Sequence, residues 1–320
     1  MKEHRNIPVV CLMGPTGAGK TSCAIRLASR LPLEIISVDS ALVYKGLDIG
    51  TAKPDPSLRR RVPHHLIDIC DPAEAFSAAE FRARAGNLIA EIAGRGRIPL
   101  LVGGTGLYFR TLLEGISPLP PADPGVRARL QASCTEFGSA ALHKRLEEVD
   151  PFSAKRIHPN DPQRILRALE VFELTGTPLT AWWAAQAREA LNLPIVKWVI
   201  APSERSRLHQ QLASRFAAML ERGLVNEVLG LRGRPDLDLT KPALRAVGYR
   251  SVWRFLAGEL GYAEMVTQAV TATRQLAKRQ LTWFRAETHA QWLDSEQTDL
   301  IDVLTRGLEA HPLMRNVDYT

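Results

Sequence analysis

Apolar runs and amphipathic segments alternate along the chain. Short apolar runs of strand length lie at residues 7–13, 34–38, 65–69, 98–102 and 196–200. Segments with helical periodicity lie between most of them, at residues 21–30, 73–94 and 107–113. Strands that alternate with helices are typical of a parallel, doubly wound sheet. The pattern therefore predicts the α/β fold class.

A proline-rich segment interrupts this alternation. Residues 117–124 contain four prolines and predict an extended linker. Residues 125–192 then carry only helical patterns, strand character returns at Pro194, and the chain is again mostly helical from residue 203. We therefore expect two parts. The α/β core would comprise residues 1–122 and 195–320, and an all-helical insertion domain would comprise residues 123–194.

Composition and charge exclude some classes of protein. The chain has 320 residues, of which 45% are hydrophobic and 23% charged, which excludes a long disordered or fibrous protein. The formal net charge of +7 suits a polyanionic partner, although many basic proteins bind none. The four cysteines form no CxxC pair and predict buried free thiols in a reducing compartment. With no signal peptide or membrane-span pattern, we expect a cytoplasmic protein without membrane contact.

One segment matches the phosphate-binding pattern G-x4-G-K-[ST]. It follows a predicted strand and opens a predicted helix, so its backbone N–H groups would point at an anion. Lys20 would add a positive charge, and the Thr21 hydroxyl could ligate Mg²⁺. The loop predicts a diphosphate-bearing ligand but not the group attached to it. Its residues are Gly14, Pro15, Thr16, Gly17, Ala18, Gly19, Lys20 and Thr21.

Candidate polar residues follow other predicted strands. Ligands of doubly wound sheets bind outside the carboxyl ends of the strands, where we expect Gly14, Asp39, Thr105 and Ala201 to meet. Asp39 could hold Mg²⁺, accept a proton from a nucleophile, or only cap a helix. The Gly-Gly-Thr-Gly run at 103–106 lacks the carboxylate common at this place, which argues against an ATPase motor or switch GTPase. Its glycines predict a close ligand approach or only a tight turn.

Basic and aromatic side chains share a predicted helix at residues 263–287. Arg274, Lys278 and Arg285 fall within a stripe about 40° wide on that helix. Such a stripe beside aromatic residues suits a nucleic-acid backbone with stacked bases, and a solvated helix face is the alternative.

Two further segments carry paired basic residues. At residues 245–250, two arginines flank Gly248-Tyr249, which predicts a turn. In the insertion, Asp161 predicts a helix N-cap and Gly176 the end of that helix. Arg164 and Arg167 are neighbours on its surface, where a solvated face is again the alternative.

The ordered set of motifs resembles that of the tRNA dimethylallyltransferases, the enzymes that isopentenylate an adenosine beside the anticodon. The resemblance covers nearly the whole chain. It is carried by MGPTGAGKT (13–21), SVDSALVYKGLDIGTAKP (37–54), PHHLID (63–68), VGGTGLY (102–108), NDPQR (160–164), VGY (247–249) and TRQLAKRQ (273–280).

The resemblance implies a P-loop NTPase-like core and a specific reaction. Dimethylallyl diphosphate would donate its prenyl group to the exocyclic N6 amine of the adenosine 3′ to the anticodon, in tRNAs that read codons starting with U. The products would be N6-isopentenyladenosine and diphosphate. The insertion would clamp the tRNA anticodon stem-loop. Mg²⁺ is the expected cofactor, and we expect a monomer.

Roles for individual residues follow from the resemblance and from their chemistry. Asp39 is the expected base, Thr105 would orient the amine, and Lys20 and Arg215 would stabilise the leaving diphosphate. The implied tRNA contacts are Asp39, Ser40, Ala41, Leu42, Thr105, Arg127, Gln163, Arg164, Ile165, Leu166, Arg167, Arg245, Gly248, Tyr249, Arg250, Lys278, Arg279, Gln280, Trp283 and Arg285.

Two other classes of protein remain open at this point. A P-loop kinase of a small molecule or nucleoside accounts for the phosphate loop and Asp39 but not for the basic C-terminal helix. A nonenzymatic, GTPase-like RNA-binding protein accounts for the charge but leaves Asp39 and Thr105 without a role. That second class also requires a guanine-reading N-K-x-D motif, which is not obvious in the sequence.

Overall fold

The computed structural model describes residues 7–184, 191 and 193–312. The chain divides into two compact units, Met1–Leu113 with Asn192–Thr320, and Glu114–Leu191. The sequence predicted the division at residues 122/123 and 194/195. The N-terminal residues 1–6, on which the absence of a signal peptide was judged, lie outside the described residues. So do residues 185–190 and 192, which were included in the predicted helical stretch.

Strands and helices alternate through the first unit, and the second unit is helical. The strands are β1 (Val9–Met13), β2 (Leu33–Val38), β3 (His64–His65), β4 (Ile98–Gly103), β5 (Ile195–Ala201) and β6 (Gln291–Asp294). The helices are α1 (Lys20–Ala28), α2 (Pro56–Arg61), α3 (Ala78–Gly94), α4 (Gly106–Glu114), α5 (Pro124–Val149), α6 (Pro151–Arg156), α7 (Pro162–Thr175), α8 (Leu179–Ala184), α9 (Arg205–Glu221), α10 (Leu224–Arg232), α11 (Tyr249–Leu256), α12 (Tyr262–Arg285) and α13 (Leu300–Glu309).

The six strands form one parallel sheet in the order β3-β2-β4-β1-β5-β6. This confirms the predicted fold class. All residues of β1, β2 and β4 are buried, which explains why these strands read as continuous apolar runs. Strand β6 was not predicted, because at the sheet edge its first two residues are exposed and no apolar run marks it.

Element boundaries differ from the sequence prediction where capping residues decide them. Helix α3 begins at Ala78 instead of residue 73, because Ser77 and Glu80 form a capping box that fixes its start. The third strand is only His64–His65, since Leu66 and Asp68 adopt positive φ angles that end it. Helix α12 begins and ends within two residues of the predicted bounds, 263–287.

The helical unit has its own apolar core, formed by residues of α5, α7 and neighbouring helices. As the sequence predicted, Asp161 caps α7 by accepting a hydrogen bond from the Arg164 N–H, and the helix ends at Gly176. Glu170 is 1% exposed and accepts hydrogen bonds from the side chains of Arg127 (2.9 Å) and Arg167 (2.7 Å). This buried ion cluster was not predicted.

The structure bears on two further expectations from the sequence, that the thiols are free and buried and that the chain has no membrane span. Cys11, Cys23 and Cys70 are buried free thiols, and Cys134 is half-buried. None of the helices in the described ranges is long and apolar enough to cross a membrane.

Candidate active site

A cavity of about 470 Å³ lies at the carboxyl ends of the central strands. Thr16 follows β1, Asp39 follows β2, and Thr105 follows β4, so three neighbouring strands each bring a polar residue to it. Gly14 and Ala201, which were expected at the same place, are not among the lining residues. The Ala201 carbonyl accepts a hydrogen bond from the Ser295 N–H. The remaining lining comes from residues adjacent to Asp39 and Thr105, from α9 and α12, and from the segments 50–51 and 242–247.

Asp39 is held by the backbone that follows it. Its Oδ1 accepts hydrogen bonds from the N–H groups of Ala41 (2.8 Å) and Leu42 (3.4 Å). Its Oδ2 has no hydrogen-bond partner among the residues that the structure describes. The segment after Asp39 is a series of turns and not a helix, so the helix-cap alternative is wrong. The side chain has a fixed orientation and one carboxylate oxygen left to act on a ligand.

Thr105 lies beside Asp39 in the same corner of the cavity. Its Oγ1 accepts a hydrogen bond from the Ser40 N–H at 3.1 Å. The Thr105 N–H in turn donates to the Val38 carbonyl at 3.2 Å. The two strand ends are therefore tied together, and the Thr105 hydroxyl is fixed at the site.

Two cations share the neighbourhood of Asp39. Burial lowers the pKa of Lys20 to about 7, which the Asp39 carboxylate partly opposes and the Arg215 guanidinium reinforces. Burial also lowers the pKa of Arg215, again against the effect of Asp39. Lys20 Nζ donates to the Pro15 carbonyl at 2.6 Å, and Arg215 Nη2 donates to the Thr51 carbonyl at 3.3 Å. A polyanion would supply the negative charge that these partly desolvated cations lack.

One wall of the cavity is apolar. Leu212, Phe216 and Met219 are buried residues of α9, at the spacing that places them on one helix face together with Arg215. Leu276 of α12 adds to this wall. The cavity thus places an apolar surface beside a cationic one, which suits a ligand with a short hydrocarbon chain and an anionic group.

The glycines at residues 103–106 have a packing role that the sequence did not predict. A Cβ atom on Gly104 would lie 2.4 Å from the Gln280 amide, and one on Gly106 would lie 2.7 Å from the Trp283 ring. Small residues are required here because side chains of α12 pack against the loop, and Gly104 and Gly106 also line the cavity. The Trp283 indole is also covered by the Arg110 guanidinium, 6.0 Å from the ring centroid.

Helix α12 presents its basic side chains to solvent. Arg274, Lys278 and Arg285 are exposed, whereas Ala277 and Phe284 are buried on the opposite face. Lys278, Arg279 and Arg285 form no ion pair within the described part of the chain. Gln280 differs from them, because its side chain points inward and bonds the Thr16 N–H and the Gly104 carbonyl.

Several predicted RNA contacts have buried side chains. Tyr249 is completely buried at the first position of α11, and Gly248 is buried with a φ of +95°. The predicted turn at these residues is therefore a helix start, and the Tyr249 ring belongs to the core. Ile165 is likewise completely buried in the helical unit, where Leu166 packs against the same core. Arg245, Arg250, Gln163 and Arg164 are exposed.

The candidate metal ligand Thr21 lines a separate small cavity of about 20 Å³, together with Ser37 and His64. Across the described ranges, no group of three His, Cys, Asp or Glu side chains could hold a metal ion. Mg²⁺ that is carried by a phosphate group usually takes one or two protein oxygens and completes its shell with phosphate and water oxygens.

The sequence matches two family models. One, described as IPP transferase, covers residues 42–287, and the other, described as isopentenyl transferase, covers residues 7–62. Proteins named tRNA dimethylallyltransferase are similar over almost their full length. The protein from Nitrosococcus oceani is 55% identical, covering 94% of this chain and 96% of its own length, and that from Thioalkalivibrio sulfidiphilus is 52% identical, covering 97% of each.

The chain belongs to the tRNA dimethylallyltransferase family. It is therefore a transferase that prenylates tRNA. This rules out the kinase and the nonenzymatic RNA-binding protein that the sequence motifs left open.

Solved structures of the family share the fold. The full-length tRNA isopentenylpyrophosphate transferase of Bacillus halodurans is 37% identical with a TM-score of 0.70, covering 97% of both chains. A eukaryotic dimethylallyltransferase acting on tRNA is 26% identical with a TM-score of 0.79, covering 98% of this chain and 81% of its own. The tRNA dimethylallyltransferase fold thus extends over both units of this chain.

Proposed function

We propose that this tRNA dimethylallyltransferase uses dimethylallyl diphosphate and modifies the N6 amine of the adenosine 3′ to the anticodon in tRNAs that read codons starting with U. The products are N6-isopentenyladenosine and diphosphate. The observation that carries the proposal is the cavity itself, where Asp39, with one free carboxylate oxygen, lies near two cations and an apolar wall.

The cationic side of the cavity takes the leaving group. As the allylic C–O bond breaks, its electron pair passes to the diphosphate, and negative charge develops there. Lys20, Arg215 and the N–H groups of residues 19–21 at the start of α1 stabilise that charge. The Leu212, Phe216 and Met219 wall holds the dimethylallyl chain and excludes water from the allylic carbon.

Asp39 is the base in this proposal. The N6 lone pair forms the new bond to the allylic carbon, and the N6 proton passes to the free Oδ2 of Asp39. The two N–H donors on Oδ1 keep the carboxylate in one orientation. Thr105, fixed by the Ser40 N–H, accepts or donates a hydrogen bond that orients the amine. The target adenosine must leave its base stack to reach Asp39, at a cost of about a few kcal/mol.

Mg²⁺ is the proposed cofactor. The oxygen donors fit this ion, since Mg²⁺ commonly combines one or two protein oxygens with phosphate oxygens, and the Thr21 hydroxyl is the proposed protein ligand. When bound, it would contribute about several kcal/mol of charge stabilisation to the leaving diphosphate.

Exposed basic residues supply the proposed tRNA surface. Lys278, Arg279 and Arg285 on α12 neutralise backbone phosphates, which offsets the cost of base flipping. Arg245 and Arg250 extend this surface, and Gln163 and Arg164 are the proposed contacts of the helical unit.

Transfer of label tests the proposal. The protein is mixed with Mg²⁺, labelled dimethylallyl diphosphate and an anticodon stem-loop with three adenosines on the 3′ side of the anticodon. We expect label only in the adenosine adjacent to the anticodon, located by nuclease digestion. A stem-loop with that adenosine replaced by guanosine is the matched control. Label at another position, or phosphate transfer from labelled ATP in a parallel reaction, would contradict the proposal.

A further inference from the structure

Glu227 is a half-buried hydrogen-bond acceptor that no sequence motif singled out. It lies on α10, and its Oε2 accepts hydrogen bonds from the N–H groups of Asp48 (3.0 Å) and Ile49 (2.7 Å). Its Oε1 accepts from the Gly50 N–H (3.2 Å) and from the Tyr249 hydroxyl (2.5 Å). One carboxylate therefore binds three consecutive backbone amides, which come from a segment nearly 180 residues away in sequence.

The segment 48–51 lies in neither a helix nor a strand. Glu227 holds it together with local turn bonds, such as the one from the Thr51 hydroxyl to the Leu47 carbonyl at 2.6 Å. Packing adds to this, because a Cβ on Gly50 would lie 2.5 Å from the Tyr249 ring and 2.8 Å from Leu224. Burial and the adjacent Glu227 carboxylate raise the pKa of Tyr249 well above its ordinary value. Tyr249 is therefore protonated and remains a donor to Glu227 at every pH at which the enzyme would be assayed.

A second charged group holds the other end of the same segment. Lys53 Nζ donates to the Tyr44 carbonyl (2.9 Å), to Asp48 Oδ1 (2.6 Å) and to Asp68 Oδ1 (2.5 Å). Its side chain is only 2% exposed. Residues 48–53 are thus anchored by the half-buried Glu227 and the buried Lys53, which limits the movement of Thr51 between them.

Thr51 connects this anchored segment to the cavity. Its carbonyl oxygen accepts the hydrogen bond from Arg215 Nη2 at 3.3 Å, and both residues line the cavity together with Gly50. Arg215 has no other hydrogen bond or ion pair to the described residues. The orientation of its guanidinium therefore responds to where the Thr51 carbonyl lies, and the amides that Glu227 binds directly precede Thr51.

We infer that Glu227 is a positioning residue that holds residues 48–51 so that the Thr51 carbonyl directs Arg215 toward the diphosphate. This rests on the proposed role of Arg215 in binding the diphosphate. Glu227 touches no ligand itself, and its effect reaches the anion only through Arg215. Tyr249 supports this arrangement, because its hydroxyl donates the fourth hydrogen bond to the Glu227 carboxylate.

A double-mutant cycle tests the inference with inorganic diphosphate and Mg²⁺ as the probe, measured by calorimetry. Glu227→Gln keeps the size of the side chain but places an amide N–H₂ against backbone N–H groups. We expect about a tenfold weaker diphosphate affinity in this variant. In the Arg215→Ala background the same substitution should change affinity less than twofold, because the residue through which it acts is gone.

Two further variants separate positioning from general destabilisation. Tyr249→Phe removes one of the four donors, and we expect about a threefold loss of affinity that also disappears without Arg215. Glu221→Gln, at an exposed glutamate one helix earlier, should leave affinity unchanged. If Glu227→Gln does not fold, as judged by its thermal transition, the Tyr249→Phe cycle decides the question.

An equal loss of affinity on Glu227→Gln with and without Arg215 would overturn the inference. So would no loss of affinity at all, or a wild-type protein that does not bind diphosphate. The proposed function is judged separately, by label transfer to the stem-loop. A wild-type enzyme that prenylates the stem-loop but shows no coupling between Glu227 and Arg215 rejects only the inference. Coupling in a protein that does not prenylate the stem-loop rejects only the proposed function.

Discussion

The Gln280 side chain joins the two loops that form the candidate active site. Its Oε1 accepts a hydrogen bond from the Thr16 N–H at 2.8 Å, and its Nε2 donates to the Gly104 carbonyl at 3.0 Å. One residue of the basic helix α12 thus connects the phosphate-loop motif to the loop that carries Thr105. The exposed neighbours of Gln280 on the same helix are the proposed tRNA contacts.

Replacing Gln280 with alanine leaves the Thr16 N–H and the Gly104 carbonyl without their partner. We expect the KM for the prenyl donor to rise about tenfold, because partly buried polar groups lose their hydrogen bonds and the loop shifts. Steady-state kinetics and tRNA binding check this, with tRNA affinity expected to stay within about threefold. Gln275→Ala, at an exposed position of α12, is the control. A larger effect on tRNA affinity than on the donor KM would favour the original prediction of a direct RNA contact.

Asp39→Asn keeps an oxygen for the Ala41 and Leu42 N–H groups but cannot accept the N6 proton. Single-turnover label transfer should slow by about 10² to 10⁴. Binding of the stem-loop, measured by fluorescence anisotropy, should change only a few-fold. Asp55→Asn serves as the control, because its exposed side chain forms no cap hydrogen bond. Near-normal turnover in Asp39→Asn would reject Asp39 as the base.

Lys278→Ala removes one exposed positive charge from α12. Loss of a phosphate contact should reduce the slope of log affinity against log salt by about one unit. Binding of the stem-loop at several salt concentrations measures that slope, with Lys45→Ala as a matched control at another exposed lysine. An unchanged slope would remove Lys278 from the phosphate contacts.

Diphosphate binding should depend on the protonation of Lys20. Burial lowers its pKa to about 7, so the free enzyme carries this charge below pH 7 and loses it above. An anion binds the charged form, so affinity should fall as the pH rises through 7, and binding near pH 8 should take up a proton.

Calorimetry in buffers of different ionisation enthalpy measures that proton uptake. The Lys20→Arg variant remains charged over the whole pH range. Diphosphate itself titrates in both experiments, so the difference in proton uptake between wild type and variant is due to Lys20. Equal proton uptake by the two proteins would contradict the predicted protonation of Lys20.

The buried Glu170 should stabilise the helical unit. Its burial raises the pKa, but hydrogen bonds from Arg167 and Arg127 outweigh this and hold it below the ordinary value. The stabilisation is therefore fully present above the ordinary glutamate pKa and is lost as the pH falls through the lower folded value.

Glu170→Gln removes the negative charge to which Arg127 and Arg167 donate, and we expect a loss of about 2 kcal/mol in the free energy of unfolding of the full chain. Denaturant unfolding measures it. Glu173→Gln, which removes a more exposed partner of Arg129 and Arg145, should cost less than about 1 kcal/mol. Equal effects of the two substitutions would show that burial of Glu170 is not what makes its ion pairs strong.

Local signals in the sequence were sufficient to predict a strand or helix where the residues of that segment determine its structure. The buried strands β1, β2 and β4 were predicted from continuous apolar runs, and α7 from its cap at Asp161 and its end at Gly176. The edge strand β6 was not predicted, since its four residues contain no apolar run and only pairing with β5 makes it a strand.

The sequence by itself determined the fold class, the family and the residue types at the candidate site, because apolar periodicity and the spacing of the motifs are local properties. Only the tertiary structure decided which of those residues face the cavity. Tyr249 and Gln280 stand in the same motifs as the proposed tRNA contacts, yet they turn inward to bond Glu227 and Thr16. Contacts between residues so far apart in the chain depend on how helices pack against the sheet, which no short segment encodes.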